Sequence, residues 1–254
     1  MAFLTDTEKQ RIKSDWLYKG FTQVDILDEY VCDILNDELD KLRLKRNENG
    51  EWSEYEPYAY PHKESELLEK YFVHPKIIEV AEVLLECDEI IGLQDWAYFK
   101  KPGELGRDMH QNVFYTGCNF NEVINTSIAL EDHDEENGAV WCYPGSHFLP
   151  LLPIEVDKER TKTNPKNWTN ERGKPCVMPE GHNFQKEYCN GKKGQMTIIH
   201  SHCVHGSEPN KSKTRFRRAL LGGYLKKGAH FNKGNHMKRE AIDVYKLKGK
   251  HWYE

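Results

Sequence analysis

Imidazoles are the side chains of this sequence best placed to do chemistry. His200, His202 and His205 crowd into "HSHCVHGS", and His110 stands 95 residues before the last of them in "RDMHQNVFY". Imidazole is the commonest protein ligand for transition metals. His110 followed two residues later by Asn112 is therefore either a metal site whose third position would ordinarily be a carboxylate, or a polar turn. With 12 histidines in the chain, any one alone is weak evidence, because surface and hydrogen-bonded core histidines are the usual case.

The elements that must position these groups are legible in outline. In 254 residues, 13 Tyr, 10 Phe and 6 Trp supply bulky core material that disordered chains lack. Thr5 with Glu8 three residues on is a capping-box pattern opening a helix over 5–19 that stops near Gly20, and "GFTQVDIL" alternates as a strand does. Val31, Ile34, Leu35, Leu39 and Leu42 recur at helical spacing over 28–42. The polar stretch 46–63 reads as a loop, and 64–86 as two helices broken before Pro75. From residue 88, short β-type runs separated by Pro102-Gly103, Asn137-Gly138, Pro144-Gly145 and Gly191 suggest a sandwich or barrel. Residues 153–193 are long, polar and aperiodic, the character of a functional lid. Its Lys158, Arg160, Lys162, Lys166 and Arg172 would suit a small anionic metabolite.

Charge and cysteine usage exclude several classes. The net charge of −5 is spread without a broad cationic face, which argues against nucleic acid. Seven cysteines, with no CxxC pair, read as reduced thiols in a cytoplasmic protein rather than a disulfide framework or structural zinc site. No run of about 18 apolar residues is present to span a bilayer, so no membrane partner is expected. The oligomeric expectation is a monomer or homodimer.

Taken in order, "MHQNVFY", "ALEDHDEENGAVWCYPGSHF" and "GQMTIIHSHCVHGSEPNKSKTRFRRALLGGYL" resemble the phytanoyl-CoA dioxygenase family of Fe(II)- and 2-oxoglutarate-dependent oxygenases. "DWLYKGFTQVDIL" and the helices of 66–86 are similar to that family's opening segments, so the likeness covers most of residues 10–226. The resemblance implies a mainly β fold with packed helices, a double-stranded β-helix of the jelly-roll or cupin-like kind. A single oxygenase domain would span 1–254: helical support over 1–86, barrel over 88–226 with the insertion 153–193, and a tail over 227–254.

The cofactors implied are Fe(II) and 2-oxoglutarate, and the partners a small-molecule substrate and O2. His110, Asn112 and His205 would hold iron, leaving positions open for the 2-oxo acid and O2. Arg217, in preference to Arg215 or Arg218, would fix the far carboxylate of 2-oxoglutarate with Ser207 beside it. Gln94, Trp96 and Tyr98 share a strand face that would point into the barrel, Gln94 and Tyr98 toward the cosubstrate and Trp96 toward the substrate. His200 and His202 are substrate-side candidates, and structural hydrogen-bonders on the other reading.

The departure is Asn112, where the family has Asp. An amide oxygen can reach a metal but is neutral and a weaker ligand. The chain is then a working oxygenase with a His-Asn-His site, or one in which Asp108 substitutes because it shares a strand face with His110. Otherwise it is a non-catalytic metal- or metabolite-binding relative, or an inactivated variant. For the enzyme readings, hydroxylation of an unactivated C–H bond is the default outcome, with oxidative cyclisation or desaturation as variants.

Overall fold

The computed structural model describes residues 2–49, 58–155, 176–234 and 238–252. The first helix, α1 (Asp6–Tyr18), opens on the expected capping box, with the Thr5 hydroxyl accepting from the Glu8 amide and the Glu8 carboxylate accepting from the Thr5 amide. Strand β1 (Phe21–Asp25) follows, then α2 (Glu29–Glu48), which runs one and a half turns beyond the periodic stretch because Leu44, Lys45 and Arg46 are good helix formers. Its buried side is Val31, Cys32, Leu35, Leu39 and Leu42, whereas Ile34 is 48% exposed, against the pattern expected from spacing.

The stretch expected to be a loop contains β2 (Tyr58–Ala59) and a 3-10 turn at Pro61–Lys63, while 50–57 lie outside the described residues. Helices α3 (Glu66–Phe72) and α4 (Pro75–Leu85) break where Pro75 demands it, and Pro75 becomes the first helical residue of α4. The β region comprises β3 (Ile90–Lys100), β4 (Arg107–His110), a single helical turn α5 (Val113–Thr116), β5 (Val123–Ala129), β6 (Val140–Cys142), β7 (Glu187–Tyr188), β8 (Gln195–His200), β9 (His205–Ser207) and β10 (Arg217–Lys226). The tail carries α6 (Val244–Trp252), docked by hydrogen bonds from Trp252 Nε1 to the Lys70 carbonyl and from the Ile90 amide to the Tyr245 hydroxyl.

These strands form a six-stranded sheet, β1-β8-β5-β10-β3-β2, facing a four-stranded sheet, β4-β9-β6-β7, with antiparallel pairing throughout. This is the double-stranded β-helix. Strand alternation divides the larger sheet cleanly. Ala97, Phe99, Ile124, Ile128, Met196, Ile198 and Leu220 point outward and pack with the buried faces of α2, α3 and α4 in one apolar cluster. Each large aliphatic side chain buried there stabilises the fold by about 1.5–3 kcal/mol. On the inward face, Phe21 and Ile199 meet Cys142 of β6, Cys189 just after β7 and Cys203 just before β9 in a second apolar cluster. All seven cysteines are free thiols. No helix among the described residues is long and apolar enough to cross a membrane.

Candidate functional site

Strands β4 and β9 place His110 and His205 directly opposite each other, with ring centroids 4.3 Å apart. Both rings are buried. The Nδ1 of His110 lies 2.8 Å from the Asp108 carbonyl, and the Nδ1 of His205 lies 2.9 Å from the Cys203 carbonyl. A carbonyl can only accept, so each Nδ1 carries the proton and each Nε2 keeps its lone pair. Burial, reinforced by the nearby Arg107, holds both imidazoles neutral: His205 is pushed down to about 4, and His110 well below its usual value by burial, His205 and Arg107. Two neutral imidazoles with fixed tautomers are the form that binds a metal ion.

Asn112 stands at the N-cap of α5, where an asparagine would normally accept from a helix amide. It makes no such cap bond. Its side chain instead lies against the buried His110 ring. Among the described residues no group of three or more His, Cys, Asp or Glu gathers around a common point, so no carboxylate completes the pair. The expectation that Asp108 shares a face with His110 assumed an unbroken strand. The register shifts between Arg107 and His110: these two, three residues apart, pair with Ser207 and His205, only two apart. One extra residue in β4 is a bulge, and a bulge resets the alternation. Arg107 and His110 therefore both face inward, and the two-residue argument for Asp108 lapses.

Gln111, between the two, is 1% exposed and makes three hydrogen bonds. Its Nε2 donates to the carbonyls of His202 (2.9 Å) and Pro150 (3.2 Å), and its Oε1 accepts from the Leu152 amide (2.8 Å). One side chain thus staples the His110–Asn112 turn to two neighbouring loops. Gly206 lets β9 lie close: a Cβ there would sit 2.6 Å from the Trp141 ring and 2.8 Å from the Arg107 carbonyl.

The cationic side of the site comes from β3 and β10. Arg217 pairs with Lys100 in the ladder, and both are buried. The Arg217 Nε has no hydrogen-bond partner, an arrangement that is costly unless an anion is to be received. Arg215 is instead spent on Asp134 and Glu136, and Arg218 on Asp40 and Glu131, on the other side of the strand. Lys100 Nζ donates to Ser207 Oγ (3.0 Å) and to the Glu208 carbonyl (2.6 Å). Burial first, and Arg217 beside it second, push this ammonium down to about 7. Glu104 is pushed up by burial, with Lys100 and Arg217 pulling against it.

Gln94, Trp96 and Tyr98 fall on the same inward face, since they alternate with Asp95, whose carboxylate is tied to His62 on the helix side. Gln94 Oε1 and Trp96 Nε1 are buried without partners. Tyr98 accepts from Arg107 Nη1 at 2.8 Å. Alongside His110 lies a narrow pocket of about 10 Å³ lined by Phe114, Tyr115, Leu151 and Leu152.

His200 does not reach this space. It shares the outward face of β8 with Met196 and Ile198 and packs on Trp16 of α1, ring centroids 5.0 Å apart, with Phe120 at 4.6 Å. His202 lies in the following turn beside His200 and Phe120, its carbonyl held by Gln111. Strand parity was the available signal for His200. Lys100, Arg107, Glu104 and Gln111 were not anticipated. Lys100 could have been found by extending the Gln94-Trp96-Tyr98 alternation by one step, but Arg107 depends on the bulge. The lid cations Lys158, Arg160, Lys162, Lys166 and Arg172 lie outside the described residues.

The residues present fit iron and 2-oxoglutarate: two inward imidazoles with fixed lone pairs, and on the larger sheet a buried guanidinium with an orphaned donor. The phytanoyl-CoA dioxygenase family model matches residues 18–219. The chain is 28% identical over 238 residues, 85% of its length and 77% of the relative's, to a protein of Stutzerimonas stutzeri named a probable alpha-ketoglutarate-dependent hypophosphite dioxygenase. It is 23% identical over 202 residues to the peroxisomal phytanoyl-CoA dioxygenase of Bos taurus, covering 73% of this chain and 56% of that one. Among solved structures, EctD from S. alaskensis with 2-oxoglutarate and 5-hydroxyectoine superposes with a TM-score of 0.69 at 15% identity, over 91% of this chain and 82% of EctD. The epimerase SnoN, solved with Fe3+ and alpha-ketoglutarate, gives 0.68 at 17% identity, over 94% of this chain and 96% of SnoN. Those likenesses concern the fold. The chain belongs to the phytanoyl-CoA dioxygenase family, and so to the Fe(II)- and 2-oxoglutarate-dependent dioxygenases.

Proposed function

We propose that this dioxygenase oxidises an unactivated bond of a small anionic metabolite. His110, Asn112 and His205 hold the iron, the two imidazoles by Nε2 and Asn112 by its amide oxygen. Arg217 receives the far carboxylate of 2-oxoglutarate in a charge-assisted, bidentate geometry that lysine cannot supply. Ser207 assists, and Lys100, held by Ser207 Oγ, adds a second positive charge. Gln94 and Tyr98 line the cosubstrate side. Trp96, on the same inward face, and the narrow pocket beside His110 bound the substrate side. With both cofactors bound, the centre consumes O2 and 2-oxoglutarate, releases succinate and CO2, and delivers one oxygen atom to the substrate.

The observations that carry this reading are the cross-strand pair His110 and His205 of the smaller sheet and, on the inward face of the larger sheet, a buried arginine with an unpartnered donor. Hydroxylation is the default outcome, with cyclisation or desaturation reachable by the same two-electron oxidation. The name of the S. stutzeri relative adds hypophosphite, and with it a P–H bond, to the first substrates to be tried. The test is aerobic incubation of iron-loaded protein with 2-oxoglutarate and hypophosphite, alkylphosphonates or short carboxylates, with succinate and oxidised product measured. Substrate-dependent succinate supports the reading. No succinate from either this chain or its Asn112→Asp variant, across that panel, contradicts it.

The second reading, a non-catalytic relative on the same barrel, is favoured by one observation: no carboxylate joins His110 and His205 among the described residues. Turnover confined to Asn112→Asp would establish it.

A further inference from the structure

Arg217 is the first residue of β10 and pairs with Lys100, the last of β3, so the arginine stands at the very end of a ladder. On its other side β10 meets β5 only from Ala219, which pairs with Ala129. A strand end frays where nothing replaces the missing ladder bonds. Three buried side chains, His133, Asn137 and Asn210, take the place of those bonds.

Asn210 works on the β3 side. Its Nδ2 donates to the carbonyls of Lys100 (3.2 Å) and Arg215 (2.8 Å), and its Oδ1 accepts from the Ser212 amide (3.1 Å), which ties the two strands together just past their last pair. Asn137 and His133 belong to the turn that follows β5. Asn137 Nδ2 donates to the carbonyls of Phe216 (3.1 Å) and Asp132 (2.8 Å), while its Oδ1 accepts from the Asp134 amide (2.9 Å). His133 Nε2 donates to the Arg218 carbonyl at 2.9 Å, since a carbonyl can only accept. The carbonyls of Arg215, Phe216 and Arg218, before and after Arg217, are each held by a side chain. Both Nδ2 protons of each asparagine are spent on these carbonyls, so neither has a donor left for a ligand. The turn is also pressed against the site: a Cβ on Gly138, whose φ is +87°, would lie 2.7 Å from the Glu208 carbonyl and 3.0 Å from Lys100 Cδ.

We propose that Asn137, His133 and Asn210 are positioning residues for 2-oxoglutarate, fixing the backbone on both sides of Arg217 so that its guanidinium is preset for the far carboxylate. This rests on the reading of Arg217 as the residue that receives that carboxylate. Binding groups must be held within about 0.5 Å of their productive geometry, and a strand end without these bonds does not hold its side chain so closely.

The test is a double-mutant cycle on 2-oxoglutarate affinity, read by anaerobic calorimetry on Fe(II)-loaded protein, with Co(II) affinity measured beside it. Asn137→Ala is expected to weaken 2-oxoglutarate at least about tenfold in the unaltered chain, and less than about twofold where Arg217→Gln is already present. Co(II) affinity is expected to stay within about threefold, because His110 and His205 lie on the smaller sheet. His133→Gln keeps an N–H close to the place of the ring Nε2 and is expected to bind 2-oxoglutarate within about threefold of the unaltered chain, whereas His133→Leu loses the donor and at least about fivefold in affinity. The His133 pair keeps the test decisive where Asn137→Ala does not fold.

Asn137→Ala that binds 2-oxoglutarate as tightly as the unaltered chain overturns the proposal. So does a loss of equal size in both backgrounds, which would mark a general destabilisation instead of an effect through Arg217. If Arg217→Gln itself leaves 2-oxoglutarate affinity unchanged, the reading of Arg217 falls and the proposal with it, which separates the two failures.

Discussion

Replacing Gln111 by leucine tests whether the geometry of the His110–Asn112 turn is enforced by its neighbours. Leucine is of similar size but removes two donors and one acceptor. The Leu152 amide is left without its partner in a buried residue, and so bears nearly the full penalty of an unsatisfied group, about 1–3 kcal/mol. The His202 carbonyl is partly shielded and loses about 1 kcal/mol, while the Pro150 carbonyl belongs to an exposed residue and rehydrates at little cost. The sum is about 2–4 kcal/mol. For a chain of this size, that lowers the unfolding midpoint by roughly 5–15 °C. Because the staple joins the turn bearing His110 and Asn112 to the turn after β8, divalent-metal affinity should fall as well. Differential scanning calorimetry of the metal-free protein and a competitive Co(II) titration measure the two effects. Gln111→Leu protein that unfolds within 1 °C of the unaltered chain and binds Co(II) equally well would refute the reasoning.

Four further outcomes follow from the same geometry. Arg217→Gln should weaken 2-oxoglutarate at least about 30-fold in equilibrium binding, since truncating one partner of a buried charge pair costs about 2–5 kcal/mol. Lys100, held down to about 7 by burial and Arg217, is recharged when an anion arrives. Cosubstrate binding should therefore take up a proton, and affinity should fall as pH rises past about 7, by at most roughly 25-fold between pH 6.5 and 8.5; calorimetry in buffers of different ionisation enthalpy reads the proton directly. In the cosubstrate-free protein the same depression means that the unfolded chain binds more protons than the folded one between about 7 and 10.5, so this group's contribution makes stability rise with pH over that window. Gly206→Ala must push Trp141 or β4 away from β9, and should weaken Co(II) binding more than tenfold.

Much of the fold was legible because local signals agreed with tertiary demand. The Thr5–Glu8 box, the break before Pro75 and the alternation of β3 all specify elements that the barrel then uses. His110 and His205 could be paired from the order of motifs. Most of the misses depend on what packs against an element rather than on its own pattern, and His200, whose strand parity was readable, is the exception. Ile34 has helical spacing but faces solvent, and His200 follows the outward parity of Met196 and Ile198. The bulge in β4 turns Arg107 inward and removes the alternation that favoured Asp108. Gln111 looked like a spacer, and only the folded loops reveal its three backbone partners.

The most direct test of the account is anaerobic addition of Fe(II) and 2-oxoglutarate to the unaltered chain and to Asn112→Asp. A charge-transfer band is expected in both, with Fe(II) bound at least about tenfold more tightly by Asn112→Asp, because a carboxylate in place of the amide adds more than 1.4 kcal/mol of attraction to a divalent ion. No band in either protein would contradict the assignment of His110, Asn112 and His205 as the metal ligands.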